Sequence, residues 1–143
     1  MIDVFEVSAA DEKTLGVINN LIPQLSQSAT VINEVHLRKI VETGTTKLFL
    51  AQEKDIVLGM LTLVLFSIPT GTKAWVEDVV VDQSARGKGV GVTLMNHALG
   101  VAKNSGATSV DLTSRPSREA ANQLYKKLGF VTRETNVYRF KYN

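Results

Sequence analysis

Hydrophobic residues recur along this chain with two periods, and the switches between them mark its elements. Ile2, Val4 and Val7 alternate with polar neighbours and predict a strand over 2–7. Leu15, Ile18, Leu21 and Ile22 fall three or four apart, the spacing of one helical face, with Asp11 as the capping residue. Pro23 lies near the end of that helix, and the segment to Gln27 either leaves it or continues after a kink. Ile32, Val35, Ile40 and Val41 predict a second helix from Ile32 to Val41, stopped by Gly44. Lys47–Gln52, Ile56–Ser67 and Thr72–Asp82 read as three consecutive strands. Lys54-Asp55 and Pro69-Thr70-Gly71 are turn-forming, and such short connections join antiparallel neighbours.

From Gly89 the period is helical again, with Leu94, Met95, Ala98, Val101 and Ala102 forming one stripe that ends near Gly106. Ser109–Thr113 reads as a short strand, Arg118–Leu128 as a helix stopped by Gly129, and Phe130–Glu134 and Asn136–Lys141 as two closing strands. Without repeats, low-complexity tracts or a linker, the pattern predicts one α+β domain over 1–143, ordered β-α-α-β-β-β-α-β-α-β-β.

The junction from Trp75 to Gly91, W-V-E-D-V-V-V-D-Q-S-A-R-G-K-G-V-G, carries the densest chemical signal. An apolar strand ends at Asp82, a residue suited to shaping the turn, and a basic glycine-rich loop opens into a helix. This order aims unpaired amides and the positive end of a helix dipole at one point, a site for phosphate. Gly87, Gly89 and Gly91 let the backbone approach a ligand, and Arg86 and Lys88 add charge. A dinucleotide fingerprint is excluded because its third glycine position is Val92, and no P-loop occurs in the chain.

The run R-x-x-G-x-G at Arg86, Gly89 and Gly91 resembles the pyrophosphate loop of the GNAT superfamily of acetyl-CoA-dependent N-acetyltransferases. Downstream, Leu124, Tyr125, Gly129 and Phe130 match the L-Y-x-x-x-G-F of the same family, in the same order. The resemblance implies a three-layer α-β-α fold whose central mixed, largely antiparallel sheet splays between the fourth and fifth strands. It implies acetyl-CoA as cosubstrate and an amine as acceptor, with no metal. It also implies a cofactor site of Val79, Val80 and Val81, Arg86, Gly87, Lys88, Gly89, Val90, Gly91 and Val92, joined by Tyr125 and by Asn122 or Arg118. Many members carry Asn where this chain has Arg118; either Asn122 takes that role or Arg118 contacts a phosphate. A homodimer through the C-terminal strands follows from family habit.

Composition agrees with this picture. At 143 residues the chain is the size of one domain, able to bury about two-thirds of its unfolded surface. With no cysteine, disulfides and thiolate nucleophiles are excluded. No apolar run approaches the roughly 20 residues needed to span a bilayer, and the N-terminus carries acids where a secretory signal carries bases. The expectation is a cytoplasmic protein with no membrane partner. Residues 1–82 hold 6 Lys/Arg against 11 Asp/Glu, whereas 83–143 hold 10 against 3. This asymmetry suits a polyanionic cofactor on the second half and a cationic acceptor near the first, where Glu34 and Glu42 lie. Nucleic acid is not expected, for want of aromatic platforms among the basic residues.

Acetyl transfer needs a base to free the amine, a donor for the tetrahedral oxyanion and a proton for the departing thiolate. Strand alternation puts Trp75, Glu77 and Val79 on one face and Asp78 on the other, unless a bulge near Val79 swaps them. Glu77, in E-D-V-V-V, is the candidate base, acting directly or through water, with Asp78 its rival. Tyr125 is the candidate acid, since a phenol's pKa of about 10 lies near that of a thiol. By the resemblance, Val79 and Val81 pair through their backbones with the pantetheine arm, and the amide of Val79 meets the oxyanion. The words E-D-V-V-V-D and R-G-K-G-V-G look similar to glucosamine-phosphate acetyltransferases, yet recur in aminoglycoside, polyamine and protein acetyltransferases. His36 and His97 are read as surface or packing residues. The rival reading is an acyl-CoA-binding sensor or interaction module of the same fold without catalysis.

Overall fold

The computed structural model describes all residues, Met1–Asn143, and they group into two compact units, 1–112 and 113–143. The first holds β1 (Asp3–Glu6), α1 (Glu12–Leu21), a 3₁₀ turn (Ile22–Gln24), α2 (Glu34–Glu42), β2 (Thr46–Glu53), β3 (Ile56–Ile68) and β4 (Gly71–Val81). A second 3₁₀ turn (Gln83–Ala85), α3 (Val90–Asn104) and β5 (Val110–Asp111) follow. Asp11 caps α1 by accepting the Thr14 N–H at 2.7 Å, a bond that holds its carboxyl below the usual range. The helix ends where Pro23 turns the chain into the 3₁₀ turn. Helix α2 starts two residues later than its apolar pattern predicts, because Asn19 pins Ile32. Its side chain donates to Ile32 O and accepts from Ile32 N–H, both at 2.9 Å, so Asn33 becomes the cap.

The sheet runs β1-β2-β3-β4-β5, with the first four strands antiparallel and β5 parallel to β4. Lys54 and Asp55 both take positive φ, 50° and 66°, the combination a two-residue hairpin of matching twist requires. One face is covered by α1 and α2, where Ile18, Leu21, Ile22 and Leu37 pack with Leu48, Leu50, Met60 and Val80 in one core. The other faces α3: Phe49 meets His97 edge to face at 4.7 Å, and Gly59 lies against Val90 and Leu94. The sheet is thus sandwiched between helices in the expected α+β arrangement.

Strand β5 is shorter than the expected 109–113 and pairs with β4 only at Ala74↔Val110 and Trp75↔Asp111. Beyond Trp75, β4 has no strand on that side, so the sheet opens between its fourth and fifth strands as the family resemblance implies.

The second unit holds α4 (Glu119–Lys127). It closes at Gly129 (φ 102°), with Phe130 N–H bonded to Tyr125 O at 2.9 Å and Gly129 N–H to Lys126 O at 3.1 Å. The two closing strands expected over 130–134 and 136–141 are absent, and no residue after 128 is in regular structure. Their alternating pattern is real, but a strand exists only when an edge pairs with it. Val131, Val137, Tyr138, Phe140 and Tyr142 stay exposed, Phe140 by 84% and Tyr142 by 85%.

Candidate functional site

The open edge of β4 is shaped by a bulge. Thr62 opposes Glu77 and Met60 opposes Val80, so Asp78 and Val79 together face the single residue Leu61. Asp78 absorbs the extra residue at φ 50°, a left-handed conformation that Asp tolerates better than most residues. Facing residues share a side of the sheet. Leu63 opposes Val76 on the α3 side, whereas Thr62 opposes Glu77 on the α1–α2 side, and Val80 lies in the α1–α2 core. Trp75, Glu77 and Val80 therefore share a face. Val79 does not, which corrects the simple alternation expected from sequence.

The bulge also switches the backbone. Ala74 N–H reaches across to Ser109 O at 3.0 Å, while Asp82 N–H reaches back to Leu58 O at 2.8 Å. Counting back from Asp82 by alternation sends the N–H groups of Val81 and Val79 to the unpaired edge and that of Val80 to β3. Two amides thus face the opening.

Exposed Glu77 accepts a hydrogen bond from the indole N–H of Trp75 at 2.8 Å. This contact was legible in principle, since residues two apart on one strand face are neighbours. Asp82 accepts from the Ser84 N–H at 3.1 Å, from the Ser84 hydroxyl, and from Gln24 Nε2 at 2.8 Å. These bonds, led by the Ser84 hydroxyl, hold its carboxyl below the ordinary value and cap the 3₁₀ turn, the shaping role expected of it. Gln24 carried no signal in the sequence.

The loop then runs Arg86, Gly87, Lys88, Gly89. Gly87 (φ 83°) and Gly89 (φ 80°) are both left-handed, with open space where a Cβ would stand. The first bond into α3 runs from Thr93 N–H to Gly89 O at 3.0 Å, so the amides of Val90, Gly91 and Val92 lack an intrahelical acceptor. Val90 is buried and anchors the turn, while Arg86 and Lys88 are exposed beside it. Free amides, left-handed glycines and two cations fit a pyrophosphate.

In the second unit, Tyr125 is buried to 8% exposure with its ring edge-on to Phe130 at 5.9 Å. Burial pushes its phenol up, and Arg118 opposes this more weakly. Asn122 donates to Arg115 O at 2.9 Å, and Arg118 is exposed at the start of α4. On α2, Glu34 is engaged by Arg38. No cluster of three His, Asp or Glu side chains that could hold a metal forms in the chain.

The model of the Acetyltransferase (GNAT) family matches residues 20–130. This chain belongs to the GNAT acetyltransferase family. Proteins of this family transfer acyl groups and use acetyl-CoA as donor. Over 61 residues this GNAT chain is 41% identical to a probable glucosamine 6-phosphate N-acetyltransferase of Oryza sativa, covering 43% of this chain and 35% of that protein. Over 97 residues it is 29% identical to N-alpha-acetyltransferase 30 of Schizosaccharomyces pombe, covering 66% of this chain and 63% of that protein. The matches span 27 to 63% of the curated relatives' lengths. Among solved structures, an aminoglycoside acetyltransferase from an uncultured soil sample superposes with a TM-score of 0.84 at 18% identity, covering 99% of this chain and 95% of that one. That likeness fixes the fold of this GNAT chain.

Proposed function

We propose that this enzyme moves an acetyl group from acetyl-CoA to a primary amine by direct transfer in a ternary complex, within one domain over 1–143. The observation that carries the reading is the bulged, unpaired edge of β4 leading into the glycine loop. Val79 and Val81 offer amides along that edge, with Val80 fixing the strand in the core beneath. Arg86, Gly87, Lys88, Gly89, Val90, Gly91 and Val92 form the pyrophosphate cradle. The Asn122 amide group is engaged by Arg115 O, which favours Arg118 as a phosphate contact.

Acetyl-CoA supplies the activated acyl group and a thiolate leaving group. Glu77 takes the amine's proton, directly or through water; the Trp75 indole fixes one carboxylate oxygen and leaves the other for this task. The Val79 amide donates to the oxyanion. Tyr125 donates to the thiolate; its phenol, ordinarily protonated at neutral pH, is raised further by burial. The acceptor approaches from α1 and α2, with Glu42 a carboxylate available to a cationic amine. No helix is long and apolar enough to cross a membrane, and a cytoplasmic site of action is part of this reading. A homodimer joined through 130–142 covers the exposed aromatic residues there, with a monomer in sedimentation counting against it.

The test pairs calorimetry with thiol release over an amine panel. Wild type binds CoA, and Glu77→Gln keeps that affinity while losing about 10²-fold or more in kcat. Unchanged turnover at every pH removes Glu77 from the mechanism. Absence of CoA binding removes the whole reading, and binding without transfer to any amine supports the sensor alternative.

A further inference from the structure

One side chain bridges the helical layer and the loop. Gln24, the last residue of the 3₁₀ turn after α1, donates through Nε2 to Asp82 Oδ1 at 2.8 Å and accepts through Oε1 from Gln83 N–H at 3.0 Å. Both ends of its amide are used on two consecutive residues, a geometry that fixes direction as well as distance. Pro23 restricts the turn that presents it, and Leu25 N–H closes that turn on Ile22 O at 3.0 Å. Two residues upstream of each partner, Ile22 and Val80 share the apolar core, so a dry contact and a polar one run side by side. Asp82 and Gln83 open the turn that delivers Arg86 to Gly91, and Asp82 is also held by Ser84 and by Leu58 O.

We propose that Gln24 is a positioning residue whose amide ties the α1 layer to the mouth of the glycine loop and thereby sets the loop's readiness for the donor. The tie stands on geometry alone; its consequence for the donor rests on the proposed function. Gln24 touches no reacting atom. It acts through the 82–85 turn, and the charged groups facing that turn are Asp82 itself and Arg86.

Hydrogen exchange on the full chain, with CoA calorimetry beside it, tests the proposal. In Gln24→Leu without ligand, the bonded amides of Ser84, Ala85, Arg86 and Lys88 exchange about 10-fold faster than in wild type while β2 and β3 keep their protection, and CoA binds about 10-fold more weakly. Gln24→Glu sets a second carboxylate against Asp82 and shows the same loss at pH 8. As the pH falls far enough for the pair to share a proton, it regains a donor and returns toward wild type measured at the same pH. Wild-type exchange at Ser84, Ala85, Arg86 and Lys88 in Gln24→Leu overturns the proposal, as does a loss in Gln24→Glu that ignores pH. If wild type fails to bind CoA while the exchange results hold, the functional reading falls and the tie stands.

Discussion

Gly59 lies in β3 where the sheet meets the first turn of α3, and replacing it with Ala tests how tightly that junction is packed. A Cβ there would stand 2.7 Å from Val80 O, 3.0 Å from Val90 Cγ1 and 3.2 Å from Leu94 Cδ1. The carbonyl belongs to the neighbouring strand and cannot rotate aside. Val90 is buried, at 1% exposure, and stiff about χ1, so it yields little. The strand pair or the helix start must therefore shift by several tenths of an ångström. Overpacking by one methyl costs about 1–3 kcal/mol, offset by about 0.4–1 kcal/mol from the lower entropy of an unfolded chain with Ala. With a backbone oxygen at 2.7 Å the cost lies in the upper half of that range, and the net loss of about 1–2.5 kcal/mol lowers Tm by roughly 3–10 °C in a domain of this size. Urea unfolding followed by the single tryptophan, Trp75, measures it. CoA affinity falls as well, because Val90 carries the amides that start α3. Gly16→Ala is the control: it sits in α1 with nothing within 4 Å and gains up to about 1 kcal/mol. A Gly59→Ala protein within about 0.5 kcal/mol of wild type refutes the reasoning.

Two further outcomes are expected. Gly89→Ala meets no neighbour but forces a Cβ onto φ 80°, costing about 1 kcal/mol in urea unfolding and weakening CoA in calorimetry; an unchanged affinity shows the loop is not the cradle. Tyr125→Phe lowers kcat at constant CoA affinity. It also flattens the alkaline limb of stability: the folded phenol sits above its ordinary value of 10.0, so the unfolded chain ionises first and stability falls as pH rises past that value. Unfolding from pH 8 to 11 shows this limb in wild type and less of it in the variant.

The elements legible in sequence were those whose signals are local. Periodicity located α1, α3 and the β2–β4 meander, and Lys54-Asp55 marked a hairpin whose φ values bear that out. The loop glycines were legible because steric freedom at positive φ belongs to the residue itself. What escaped depended on a partner distant in sequence. The closing strands needed an edge that the pattern cannot provide, and α2 started late because Asn19 holds Ile32 from thirteen residues away. Sequence raises the bulge near Val79 only as an alternative, and the register of β3 against β4, which sequence does not show, places it at Asp78–Val79. Gln24 was invisible because its partners lie 58 and 59 residues on.

The β4 bulge sets a rule for how this segment can vary. Ala74 is bonded toward β5 and Asp82 toward β3, and only one supernumerary residue between them lets both bonds form while Trp75, Glu77 and Val80 share a face. The stretch is a spacer of fixed length. Substitution within it changes one side chain, but a one-residue deletion would restore a regular ladder and exchange every amide that faces the opening. Variants that keep this active edge are expected to differ there in residue identity and never in residue number, whereas the exposed tail beyond Gly129 is free of that constraint.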